Sequence, residues 1–397
     1  MGNILSLLEE ATNGKCYKSY KFCADTELTI PTIAYEENQN LSLMKDSYGE
    51  TDTSLNKSKD LKNFANRVSK DKPLFSFFLD GSRRTYKVDD IELNRRIFPI
   101  MAGQIGVACC ERQSQGKFKC KERENNLVIS LPSEANGETK NSNLFFNNLT
   151  TKVNSADRIK KTGVKFSKIL SYSSKKLNTV EDTENRKYEH FGIASIQDEM
   201  IDCEKKIVSI LTAKNLLNED NYLLKDGSLQ YKPMQTGEHK ELTKIKNNYR
   251  RVIGVSKSFN PELFRDKNNK SNASVIANLG LYHRTPAYMF QHSIEKQSYF
   301  GNYKFSIWYV RIRDKKRTES PFAGVVKIEK ILITDVENEE GLDSALVDVI
   351  TSNIINERNP VCYGNDKRWA NHLYPVYMTE QFIKSQYLSD LHFLNLF

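Results

Sequence analysis

Residues 74–82 read LFSFFLDGS, and residues 221–229 read NYLLKDGSL. In each, a short continuous apolar run is followed by an aspartate and then Gly-Ser. The aspartates are Asp80 and, after one intervening lysine, Asp226. An apolar run this short, without helical spacing, is the pattern of a buried strand. A glycine behind the carboxylate lets backbone or ligand approach closely, although Asp-Gly also opens an ordinary turn. The same ending after two separate apolar runs brings placement at a cleft level with an ordinary turn.

Outward from these two stretches, residues 97–110 and NLVISL at 126–131 read as further strands. With the first run they predict an antiparallel meander. Residues 195–217 have helical periodicity, and 238–248 read as a second helix. RVIGVS at 251–256 is a strand with Lys257 at its end. Residues 304–313 and 322–332 are two more strands, and 341–358 and 375–391 two more helices. Three strands, helix, strand, helix, strand is the order of ribonuclease-H-like α/β folds, a mixed sheet flanked by helices. Residues 1–72 read as a helical and polar N-terminal extension, and 73–397 as the core. A polar insertion is expected at about 132–190, with Phe166–Tyr172 as part of a helix.

Composition narrows the function. The 397 residues carry 59 Lys and Arg against 50 Asp and Glu, a net charge of +9. That balance suits a polyanionic partner and equally suits solubility. With 39% hydrophobic residues the chain builds a core, which excludes wholesale disorder. No apolar run approaches the roughly 20 residues of a membrane span. Seven cysteines without a CxxC pair point to reduced thiols and a cytoplasmic setting. The six histidines form neither HxH nor HExxH, so a zinc centre is disfavoured.

A third carboxylate follows from helix geometry. Stepping from Met200 at about 100° per residue, Met200, Ile207 and Leu211 share one face. Glu204 falls inside that apolar arc, and Glu199 near its edge. A buried glutamate must be paired with a base, bind a metal or face a cavity. Asp80, Asp226 and Glu204 (or Glu199) make an oxygen-donor set suited to Mg²⁺ or Mn²⁺. A pair of such ions is able to activate water and stabilise a leaving oxygen in phosphodiester cleavage.

In this order LDGS, a Glu-bearing helix, LLKDGSL, RVIGVSKS, WYVRI, VVKIE and LYPVYMTEQ resemble the NurA nuclease family, discontinuously from about residue 74 to 390. The resemblance implies a ribonuclease-H-like fold and Mn²⁺-dependent (or Mg²⁺-dependent) DNA degradation. It also implies a homodimer docked on a HerA-like hexameric ATPase, in DNA end processing or defence against foreign DNA. It makes Asp80, Glu204 (or Glu199) and Asp226 metal ligands. Lys257 falls near the scissile phosphate, and Tyr374 in the Tyr-Pro element. The family histidine in the helix after Tyr-Pro is missing, since 378–382 read MTEQF. His372 is the nearest substitute. That departure motivates a second reading, a catalytically weak DNA-binding scaffold for a motor ATPase. A PIWI-like guide-dependent protein is a third.

Basic residues accompany the acidic ones. Arg83 and Arg84 follow Asp80, Arg250 and Arg251 precede the GVSK strand, and Arg311 and Arg313 lie at a basic hairpin. Each pair suits a phosphate backbone and equally a solvated face.

Overall fold

The computed structural model describes residues 4–24, 41–55, 58–114, 116–137, 141–174, 188–231, 239–265, 270–292, 303–318, 320–358 and 369–397. The core elements are β1 (Phe75–Leu93), β2 (Arg96–Ser114), β3 (Lys117–Pro132), β4 (Phe166–Tyr172), α1 (Tyr188–Ala213) and β5 (Tyr222–Asp226). They continue with α2 (His239–Asn248), β6 (Val252–Ser256), β7 (Tyr288–His292), β8 (Lys304–Arg311) and β9 (Val325–Ile331). Helices α3 (Ser344–Asn356) and α4 (Tyr374–Lys384) follow. All the strands belong to one mixed sheet, in the order β7-β8-β9-β6-β5-β1-β2-β3-β4. Strands β1, β2 and β3 form the expected antiparallel meander. β5 runs parallel to β1, and β6 parallel to β5. This is the mixed sheet flanked by helices anticipated from the sequence.

Two elements differ from expectation. The first strand does not stop at Asp80-Gly81-Ser82 but runs on to Leu93. Gly81 and Ser82 stay in register with Val107 and Gly106 of β2. The chain reverses only at Asn94-Arg95, where φ is +51° and +62°, as a two-residue hairpin of the mirror-image turn type requires. Asp80 therefore lies mid-strand, level with the point where the neighbouring β5 ends. Residues Phe166–Tyr172 form β4, parallel to β3, not part of a helix. The helix Ser142–Ser155 that precedes it packs its apolar face on this edge of the sheet, so the polar stretch contributes to the main sheet.

Alternation along the strands sorts their side chains to two faces. Phe77, Leu79 and Leu223 meet Met200, Ile207 and Leu211 of α1 on one face. Phe78, Leu224, Ile253 and Val255 meet Val347, Ile350 and Ile354 of α3 and Val376 of α4 on the other. The N-terminal residues are stitched to this frame. Strand Leu41–Tyr48 pairs with β7, and Glu50 accepts two 2.8 Å hydrogen bonds from fully buried Arg284. Arg284 also donates to Asp348 of α3 at 2.7 Å, and Lys59 reaches the same carboxylate.

Replacing Arg284 by alanine strands the fully buried Glu50 carboxylate in the interior, so the Arg284→Ala chain is expected to lose about 3–5 kcal/mol of unfolding free energy. Lys59→Ala removes a partly exposed partner and should cost no more than about 1 kcal/mol. Chemical denaturation of the two variants measures the contrast, and equal losses would contradict it.

Candidate active site

Strand alternation places Asp80 on the α4 face of β1 and Gly81 on the α1 face. Asp80 is 4% exposed, and its Oδ2 has no hydrogen-bond partner. Asp226, last residue of β5, is held from both sides. Gly227 behind it adopts φ +82° and donates its N–H to Val255 at 2.9 Å. The Ser228-Leu229 turn is clamped by buried Glu329 of β9. That carboxylate accepts from Ser228 Oγ at 2.9 Å, Leu229 N at 2.8 Å and Gln230 Nε2 at 2.6 Å. A left-handed glycine and a buried acceptor thus fix the loop that carries Asp226.

Lys257 follows β6 and points onto the same face, 5% exposed. Its Nζ lies 2.9 Å from Asp226 Oδ2 and 3.7 Å from Glu380 Oε2 of α4. Asn371 holds the Lys257 carbonyl at 2.7 Å. Burial pulls the Lys257 ammonium toward deprotonation, but Asp226, Asp80 and Glu380 reverse this and raise its pKa. Lys384 supports Glu380 from the solvent side at 2.7 Å. Burial pushes Glu380 up, yet Lys257, Lys384 and His372 bring it below the usual carboxylate range.

Glu204 approaches from the other side. A Cβ on Gly81 would lie 2.6 Å from Glu204 Oε1, so the missing side chain is what admits this carboxylate to the strand. Its Oε2 pairs with Lys225 Nζ at 2.9 Å, both side chains buried. The same ammonium donates to the Asp226 carbonyl at 2.7 Å. Burial raises the Glu204 pKa, with Lys225 opposing it. Asp80 feels all of these groups. Its pKa stands well above the ordinary range because of burial first, then Asp226, with Glu380 and Glu204 adding to it and Lys257 opposing.

Asp80, Asp226 and Lys257 are therefore brought together on the α4 face, Glu204 lies behind them on the α1 face, and Glu380 is a member the sequence reading missed. Pro375, Val376, Thr379, Glu380 and Ile383 form the buried stripe of α4. The stripe argument applied to Glu204 also singles out Glu380, whereas a search for histidine passes over it. His372 is buried against Tyr377, near enough to influence Glu380. Glu199 is elsewhere, on Lys168 of β4 at 2.7 Å. Tyr374 begins α4, and its ring packs edge-on against Phe118. It lies six residues, or about 9 Å along the helix, from Glu380.

The arginines divide similarly. Arg83 donates to Gln197 of α1 at 2.6 Å, and Arg84 pairs with Asp390 at 3.1 Å, so they flank β1 on its two faces. Arg251 bonds Tyr222 and Glu219, and exposed Arg250 precedes it. Both sit at the start of β6, the opposite end from Lys257. Arg311 is not a phosphate contact. It is 1% exposed, and its guanidinium donates to the carbonyls of Leu279, Ala323, Ala277 and Pro321. Arg313 donates to the Arg358 carbonyl.

The donors are hard oxygens, one of them buried and unpartnered, which is the chemistry a divalent cation takes. Ammonium groups hold the other carboxylates. Among the described residues no three His, Cys, Asp or Glu side chains form a group placed to hold a metal ion; Asp80, Asp226 and Glu380, on the α4 face, are the donors such an ion would take.

The fold and site define an α/β protein of the ribonuclease-H-like class with a carboxylate–lysine centre. A model of the NurA domain matches residues 143–384, more than half of the chain, and the chain belongs to the NurA family, a family of nucleases. The matched span contains Glu204, Asp226, Lys257 and Glu380, and Asp80 precedes it. Among solved structures, the NurA nuclease from Sulfolobus solfataricus is similar at 12% identity and a TM-score of 0.37, over 85% of this chain and 90% of that one. No curated protein matches the chain.

Two outcomes follow from this packing. Gly81→Ala should displace Glu204, visible in a crystal structure, and cost about 1–3 kcal/mol from overpacking; an unmoved Glu204 would contradict the fit. A group whose folded pKa is raised holds its stability contribution at low pH and loses it as pH rises. Asp80→Asn should therefore raise the melting temperature of the metal-free chain at pH 7. The difference should shrink as pH falls through the ordinary carboxylate range, where Asp80 is neutral in both states. A lower melting temperature at pH 7 would contradict the burial argument.

Proposed function

We propose that this chain is a Mn²⁺- or Mg²⁺-dependent deoxyribonuclease, with its centre at Asp80, Glu204, Asp226 and Glu380. The observation that carries the reading is the buried, unpartnered oxygen of Asp80 beside Asp226 and Lys257 in a NurA-family chain. A divalent ion bound there supplies the positive charge that lowers the pKa of an attacking water and stabilises the leaving oxygen. The residues do the rest. Asp80 and Asp226 are donors held by rigid strands, and Glu204 packs against Gly81 on the other face of the same strand. Glu329 and Gly227 keep the Asp226 loop from moving. Lys257, pinned through its backbone by Asn371, offers its ammonium to a phosphate oxygen that gains charge in the transition state. Arg84, on the Asp80 face, and Arg83, on the opposite face, extend positive charge along β1 toward the DNA backbone.

A scaffold with weak catalysis is the second reading, favoured by the ammonium groups that already engage Glu204, Asp226 and Glu380. Catalysis separates the two. In a Mn²⁺-dependent DNA degradation assay, Asp80→Asn and Asp226→Asn should each lose at least about 100-fold while remaining folded. Wild-type activity in both variants, or none in the wild type at millimolar Mn²⁺, would overturn the nuclease reading.

Family membership supports two further parts of the proposal, a cytoplasmic homodimer and a HerA-like hexameric ATPase as partner in DNA end processing or defence. No described helix is long and apolar enough to cross a membrane. Light scattering of the chain alone and mixed with such an ATPase should show a dimer and a larger joint complex. A monomer that ignores the ATPase would contradict both.

A further inference from the structure

We propose that the centre takes one divalent cation per chain, with the Lys257 ammonium standing where a second ion would go. This deepens the nuclease reading and rests on it. The sequence alone led us to expect a pair of ions, and the placement of charge argues for one.

Three carboxylates, Asp80, Asp226 and Glu380, lie around Lys257 on the α4 face, and Glu204 lies on the α1 face of the same strands. Two ammonium groups, both 5% exposed or less, are buried with them: Lys225 on Glu204 at 2.9 Å, and Lys257 on Asp226 at 2.9 Å and Glu380 at 3.7 Å. Two buried negative charges remain, and one divalent ion cancels them. Lys384 also touches Glu380 but is nearly half exposed, so solvent screens it. The uncommitted donor is Asp80, 4% exposed with Oδ2 unpartnered, and that is where the ion is needed.

A second ion would sit about 3.5–4 Å from the first. Next to Asp226 and Glu380 that volume belongs to Lys257. The lysine is not free to withdraw. Its carbonyl is tied to Asn371, which also binds Val325 and Gly324, and its side chain is 3% exposed. Moving a buried cation off its partners is costly, and leaving it in place sets a single positive charge against a double one. In this arrangement the lysine performs the charge neutralisation that a second metal performs elsewhere.

Titrating the full chain with Mn²⁺, with free Mn²⁺ read by electron paramagnetic resonance, tests the count. The titration is run without DNA and again with a phosphorothioate duplex. One ion per chain in both conditions is expected, and Asp80→Asn should lose it. Lys257→Met should admit a second ion. Two ions in the wild type, or one in Lys257→Met, would overturn the inference and leave the nuclease reading standing. No ion in the wild type would overturn both. The wild-type count decides the matter even if Lys257→Met fails to fold.

Discussion

Carboxylates gather inside a protein only if positive charge comes with them, and this constraint shapes the whole centre. Isolated ionised carboxylates are too costly to bury. Here β5 carries Lys225, directly before Asp226, to the α1 face, and β6 delivers Lys257 to the α4 face. Lys225 ties Glu204 of α1 to the backbone of Asp226, and Lys257 ties Asp226 to Glu380 of α4. The two lysines thus link helices on opposite faces through the carboxyl ends of the central strands. Asp80 alone is left without such a partner, and its raised pKa records the deficit.

The remaining parts of the site keep this charge arrangement in position. Gly81 is a space requirement, since any side chain would meet Glu204. Gly227 is a conformational one, since φ +82° favours glycine. Glu329 is a third support. It is fully buried on β9 and satisfies the donors of the loop after Asp226, with Lys327 beside it at 2.5 Å. None of these groups needs to touch a substrate to matter, because each limits where Asp226 and Glu204 can be.

Much of this was legible in the sequence, for identifiable reasons. Asp80 and Asp226 stand out because apolar runs lead into them. Glu204 stands out because 100° stepping puts it among Met200, Ile207 and Leu211, and the same test ranked Glu199 second. Other features were hidden. DGS looks like a turn, yet in β1 it is strand, because β2 continues opposite it and supplies the pairing. Phe166–Tyr172 has no pattern that separates strand from helix until β3 is available as its partner. Arg311 sits in a basic hairpin by sequence, but four surrounding carbonyls draw it inward. Glu380 lies where the family resemblance called for histidine, and its role shows only when α4 is laid against Lys257.

The central claim is that Asp80 marks the binding position of a divalent cation flanked by Asp226 and Glu380. Anomalous diffraction from crystals grown with Mn²⁺ tests it most directly. The account predicts one strong peak within coordination distance of Asp80 Oδ2, with Lys257 still on Asp226. An ordered Mn²⁺ site elsewhere on the chain, with Asp80 left unpartnered, would contradict it.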